Sequence, residues 1–191
     1  MMANPQRAQR ALAGRTGQGA SLVYRPAVPS PEPAWNPLPP LRPHLGDYSS
    51  IICTKAIVVG VEQALGERAA HVALINAGRA RGRQIAEQHV GKTAMALADT
   101  APILNGAIGA SGTRLCVVEQ VEERGETIRV VLSETLCSAG EAQGSPRVLT
   151  FTMGAIQGVF EVLTGRALKA RQVESVLRGG AFDVIELNNR I

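Results

Sequence analysis

Residues 133–187 read SETLCSAGEAQGSPRVLTFTMGAIQGVFEVLTGRALKARQVESVLRGGAFDVIEL. Three kinds of segment follow one another in this stretch. Residues 138–146 are small and polar and end on a proline, the composition of a loop. Residues 149–163 carry Phe151, Ile156, Val159, Phe160 and Leu163, a spacing that predicts an amphipathic helix. Residues 168–177 and 182–187 then read as two strands joined through Gly179 and Gly180. A helix with one apolar face beside strands with another calls for a layer of helix on sheet.

Upstream, residues 115–122 and 127–133 flank ERGE, a turn centred on Gly125, and predict a β-hairpin. Residues 48–65 are apolar on nearly every face and stop at Gly66, which predicts a helix buried on several sides. Residues 67–90 form a longer amphipathic pattern, with Ala70, Leu74, Ala77, Gly78, Ile85 and Ala86 on its packed side and Gly91 to end it. Helical character continues over 93–104, where Pro102 is expected to break or bend it, and GAIGASG at 106–112 loosens the chain before the strands. The expected fold class is α+β: a helical hairpin plus further helices packed on one face of an antiparallel sheet of about four strands.

Residues 1–45 differ in kind. They hold nine of the eleven prolines, and Arg7, Arg10, Arg15, Arg25 and Arg42 face only Glu32, so the chain's formal charge of +4 belongs to this segment. Proline removes backbone donors and favours extended geometry, which predicts an extended arm. It is either a linker or a docking arm anchored through Leu22, Val23, Tyr24, Trp35 and Leu38. Residues 46–191 make the folded domain, formally neutral and long enough for one core. With only 3% aromatic residues, it offers a poor footprint for nucleic acid. No secretory signal and no run of about 18 apolar residues occurs, so a cytoplasmic protein is expected, with peripheral membrane contact at most.

Chemistry-bearing patterns are sparse. Cys53, Cys116 and Cys137 are widely spaced and form no CxxC, which argues against a disulfide framework or structural zinc. His71 and His89 lie eighteen residues apart on one helix, too far along its axis to cooperate, and His44 lies in the arm. No GxSxG, Walker loop, HExxH or dinucleotide fingerprint occurs, so no catalytic residue is assigned and an enzyme is not the favoured reading. Arg79 and Arg83 share a helical face, as an anion clamp or a solvated surface. Gly78 with Gly82, and Gly154 with Gly158, each put two residues lacking Cβ on one helical face; another helix, or a flat ligand, is expected to approach there.

From about residue 48 to residue 187 the chain resembles the 4-vinyl reductase domain family, carried by the loop, the apolar helix with glycine, the TGR exit at 164–166 and the Gly-containing hairpin. In metal-binding members zinc is held by cysteines plus an acid. Those cysteine positions fall near Leu149 or Thr150 and on Val176 and Val184, and the acid near Val173 or Glu174. Glu174 alone could ligate, so no metal is expected, and Val176 and Val184 are expected to face each other across the last hairpin. The family is similar in fold to subunits of the TRAPP tethering complex, which implies Cys53 as a buried acyl-attachment candidate and Cys137 as an exposed one, for an acyl chain or a bilin. The resemblance also implies a non-catalytic carrier of a hydrophobic small molecule, a tetrapyrrole or an aromatic hydrocarbon, held without covalent cofactor. Its pocket is expected between helices and sheet, lined by Ile52, Ala56, Phe151, Ile156 and Phe160. Two alternatives stand beside it. One is an adaptor subunit of a larger complex, dimerising through its glycine-paired helices and docking by its arm. The other is an accessory factor or reductase of (bacterio)chlorophyll synthesis.

Overall fold

The computed structural model describes Arg42, His44, residues 48–90 and residues 96–190, with the backbone alone for residues 89 and 90. The arm with its proposed anchors, and the helix stop at Gly91, lie outside the described residues. Two helices come first, α1 (Ile51–Leu65) and α2 (Glu67–Ile85), the latter running on into a π-helical turn, Ala86–Val90. A 3-10 turn (Leu97–Asp99) leads into α3 (Thr100–Ile108), followed by strands β1 (Val117–Arg124) and β2 (Thr127–Ser133). Helix α4 (Thr150–Thr164), strand β3 (Leu168–Glu174), a 3-10 turn (Val176–Arg178) and strand β4 (Asp183–Asn189) complete the order.

Local chemistry sets these boundaries. The Ser50 side chain accepts a hydrogen bond from the Ile52 amide and caps α1. Gly66, at φ 76°, turns the chain between α1 and α2 as the only residue separating them. Pro102 corrects its own expectation: it stands in the first turn of α3, where its missing N–H leaves no helical carbonyl without a partner, so the helix begins around it instead of bending. Asn105 then ties α3 to the sheet, donating to the Val118 carbonyl and accepting from the Val118 amide, both at 2.8 Å.

The sheet has the order β1-β2-β4-β3, and each neighbouring pair is antiparallel. Arg124 pairs with Thr127 around Gly125, whose φ of 62° the two-residue turn requires. One face carries Ile128, Val130 and Leu132 of β2 with Ile185 and Leu187 of β4, all in one cluster with Leu104 and Ile108 of α3 and Ile156, Val159 and Phe160 of α4. The α+β layering expected from the sequence is what the structure has.

The final hairpin departs from expectation. β3 ends at Glu174, Ser175 caps the following 3-10 turn, and Val176 lies within that turn, so Val176 has no strand partner. Val184 pairs in register with Glu174 on one side and with Val131 of β2 on the other. The two valines therefore do not face each other; Val184 is buried and Val176 only half so. A second correction concerns α1: the helix expected to be buried on several sides contributes no buried residue at all.

Candidate functional site

Helices α2 and α4 pack through their glycines. A Cβ built on Gly78 would stand 2.1 Å from the Phe151 carbonyl oxygen, and one on Gly82 2.0 Å from that of Ala155. Reciprocally, Gly154 meets the Ile75 carbonyl at 2.1 Å and Gly158 the Arg79 carbonyl at 2.2 Å. Each pair thus finds its occupant in the backbone of the opposite helix within one chain. That corrects the idea of subunits dimerising through these glycines, whose faces are already filled.

The same contact closes the arginine clamp. Arg79 donates from Nε to Glu161 Oε2 at 2.6 Å and from Nη2 to Oε1 at 2.7 Å, and Arg83 Nη2 reaches Oε2 at 3.0 Å. Gln157 and the Leu168 amide complete the shell around Oε1, at 3.1 and 3.3 Å. The Glu161 side chain is 4% exposed. Burial pushes its pKa up, but the hydrogen bonds from Arg79, Gln157, Arg83 and Leu168 more than reverse this and bring it down to about 2. Arg79 and Arg83 do act together, and the anion they hold is the protein's own. Beside them lies a cleft of about 310 Å3, rimmed also by Glu87 and Arg166.

A second cleft, of about 230 Å3, is lined by Gly109, Arg114, Cys116 and Glu134 among others. Arg114 and Glu134 are the two non-glycine residues with positive φ among the described residues, at 54° and 48°. Arg114 lies over the Tyr48 ring, 4.8 Å from its centroid, and the Tyr48 hydroxyl donates to the Gly112 carbonyl at 2.8 Å. Burial, and then the nearby Cys137 and Asp183, raise the Cys116 thiol to about 12, so it stays protonated at neutral pH.

The thiols exchange their expected settings. Cys53 is exposed on α1, whereas Cys137 is half-buried, packed on the core with its Sγ 3.4 Å from Thr152 Oγ1. Sequence reading also missed Asp183, a buried carboxylate that accepts from Thr135 Oγ1 at 2.6 Å, Ser138 Oγ at 2.8 Å and the Val176 amide at 3.2 Å. The available signal was an acid beginning an otherwise apolar strand. Glu174 is likewise engaged, accepting from the Ala181 amide and lying 3.7 Å from Arg129. Among the described residues no group of three His, Cys, Asp or Glu side chains could hold a metal ion.

Of the five residues expected to line a pocket, Ile156 and Phe160 are fully buried in the core and Phe151 packs against it. Ile52 is 76% exposed, and Ala56 is exposed too. The structure forms two sets and does not bring them together. The exposed set belongs to α1, whose polarity is inverted. Its two charged residues point to the domain: Lys55 Nζ lies 2.6 Å from Glu141 Oε1, and Glu62 accepts from Arg147 at 2.8 and 3.1 Å. Arg147 also reaches Glu141 at 2.9 Å. The Lys55 hydrogen bond holds the Glu141 carboxyl below its usual range. With its polar side so engaged, α1 leaves Ile51, Ile52, Ile57, Val59 and Leu65 uncovered by the other described residues.

No helix among the described residues is long and apolar enough to cross a membrane. No family model matches the chain, and no curated protein matches it. Among solved structures it is similar to the phenol-responsive sensory domain of the transcription activator PoxR, solved with phenol: TM-score 0.58, 16% identity, over 75% of this chain and 76% of that one. It is also similar to a trafficking protein particle complex subunit 3 from Naegleria fowleri covalently bound to palmitic acid: TM-score 0.50, 13% identity, over 74% of this chain and 93% of that one. At such identities the likeness shows a shared fold, including the relationship to a tethering-complex subunit that the sequence had suggested.

Proposed function

We propose that the chain is a non-catalytic domain that binds a flat or elongated hydrophobic small molecule, acting as a homodimer or within a larger assembly. The observation that carries this reading is the inverted helix α1, whose apolar side faces away from its own domain. Exposed apolar surface of this extent marks a binding surface in a folded protein. Support also comes from the fold, since one similar structure contains phenol and another palmitic acid. Ile52 and Ala56 would contact the ligand directly. A helix is convex and a small ligand needs a concavity, so another element must complete the pocket over α1. Phe151, half-buried at the edge of the core, is the further contact proposed, with Ile156 and Phe160 behind it. An aromatic hydrocarbon, a tetrapyrrole or a lipid all have the required chemistry. Of the two candidate thiols, Cys53, exposed beside Ile52, is the proposed attachment point should the ligand be covalent.

Native mass spectrometry of the purified full chain, followed by titration with phenols, fatty acids and porphyrins, tests the reading. Binding of one class, reduced at least ten-fold by Ile52→Glu with an unchanged circular dichroism spectrum, is expected. No adduct and no binding from any class up to about millimolar concentration would overturn it, since such affinity is worth only about 4 kcal/mol.

A second reading, the adaptor, draws on the same exposed helix and on the basic arm that precedes it. Removing residues 1–45 separates the two: a ligand binder keeps its ligand, while an adaptor loses salt-sensitive association with its complex.

A further inference from the structure

We propose that the cleft between the end of α2, the end of α4 and the turn into β3 binds a small apolar monocarboxylate, gripped by the free donors of Arg83 and Arg166. None of the cleft's lining residues belongs to α1, so the site is separate from the pocket proposed above. Arg79 and Arg83 of α2 and Glu87 of the π-helical turn follow one another at steps of four residues and form one wall. Glu161, Val162 and Gly165 at the end of α4 form another, and Arg166 with Ala167 close the cleft.

The donors around Glu161 exceed what that carboxylate absorbs. Arg79 binds it through two parallel hydrogen bonds, Gln157 and the Leu168 amide add two more, and Arg83 is left with a single contact through Nη2. The Arg83 side chain is half exposed, and its Nε and Nη1 have no hydrogen-bond partner among the described residues. Arg166 donates from Nε to Asn189 Oδ1 at 2.6 Å and from Nη2 to the Glu126 carbonyl at 2.8 Å. Both acceptors are neutral, and no carboxylate among the described residues pairs with this guanidinium, whose Nη1 is also free. The Glu126 carboxylate instead accepts from the Asn189 amide at 3.2 Å. Arg166 is thus fixed by two hydrogen bonds without having its charge cancelled, which prepares it to receive an anion.

Charge and size set the occupant. Three guanidiniums line the cleft against two carboxylates, Glu161 and Glu87, which leaves one positive charge. The carbonyl end of α4 at Gly165 offsets about half a charge of it, so a monoanion is accommodated and a phosphate dianion is over-compensated. A planar carboxylate also matches the planar donor fork of arginine. The volume of about 310 Å3 stands at the lower end of the range for small-molecule sites and exceeds what a carboxylate group alone fills. Val162, 38% exposed, and the exposed Ala167 supply apolar surface for the rest of the molecule.

Calorimetric titration of the full chain with benzoate is the test, with acetate, benzamide and inorganic phosphate as comparisons. Benzoate is expected to bind with about millimolar affinity or better. Acetate lacks the apolar body and benzamide the charge, so each should bind about ten-fold more weakly or worse. Arg83→Gln and Arg166→Gln should each weaken benzoate by about ten-fold or more with an unchanged circular dichroism spectrum, since Arg79 keeps Glu161 paired in either variant. Glu87→Gln removes a carboxylate from the rim and should tighten binding about two- to five-fold. Ile52→Glu should leave it unchanged. Acetate, benzamide or phosphate binding as tightly as benzoate overturns the proposal. So does an absence of benzoate binding up to about ten times millimolar concentration, or an arginine variant that binds like the parent chain. Benzoate binding lost in Ile52→Glu and kept in both arginine variants would move the carboxylate to α1, sinking this site and leaving the binding function standing.

Discussion

Glu161 is a buried carboxylate in an apolar helix, and its stability contribution has a definite sign. Its pKa is about 2 in the folded chain against an ordinary 4.5, so the unfolded state takes up the proton first as pH falls. The contribution is present above about pH 4.5 and is lost progressively toward pH 2. A depression of this size corresponds to roughly 3 kcal/mol. Glu161→Gln should therefore remove much of the acid dependence of urea unfolding between pH 5 and 2, and should lower stability at pH 7 because Arg79 loses its counter-charge. An unchanged slope in that window would mean that the arginines are not holding the carboxylate. The pairing was only half visible in the sequence: the spacing put Arg79 and Arg83 on one face, but the residue they meet is 78 to 82 positions away. The glycines pose a sharper residue-scale test. At Gly82 an added methyl meets the Ala155 backbone, not a yielding side chain, so Gly82→Ala should destabilise by about 1–3 kcal/mol despite alanine's better helix propensity. Thermal denaturation decides it.

At the scale of elements, α1 is held by charge and α4 by packing. Arg147 joins Glu62 of α1 to Glu141, which in turn holds Lys55 of α1, so one guanidinium closes the network that attaches the helix. A largely shielded surface network of this kind is worth about 1–2 kcal/mol in total. Arg147→Ala should raise amide hydrogen exchange across residues 51–65 several-fold while β2 and β4 keep their protection. Equal acceleration in the sheet would show that the network supports the whole domain instead of one helix. The contrast explains what the sequence made legible. α4, the β1–β2 hairpin and β4 were readable because their apolar periodicity answers to burial inside the same chain. The pattern of α1 is just as apolar, yet periodicity reports that a surface must be covered without saying by which molecule. Val176 failed for another reason: its place was carried over from a family spacing, and the 3-10 turn after Glu174 takes it out of the hairpin register.

For the whole molecule, the three cysteines sample three environments and report on one question, what covers α1. Cys116 is buried with its thiol raised to about 12, so it should not react with a disulfide reagent at pH 8 until the chain unfolds. Cys137, half-buried against Thr152, should react slowly, at the rate of local opening around the 135–138 turn. Cys53 is exposed in the single chain and should react first. Because it stands next to Ile52 on the same exposed helix, a hydrophobic ligand seated against α1 should slow it, and Ile52→Glu should restore the fast rate. The slowing should grow with ligand concentration and saturate with occupancy of the pocket. A Cys53 rate independent of ligand would place the pocket elsewhere, while slow labelling without any ligand would mean that α1 is covered within its own chain.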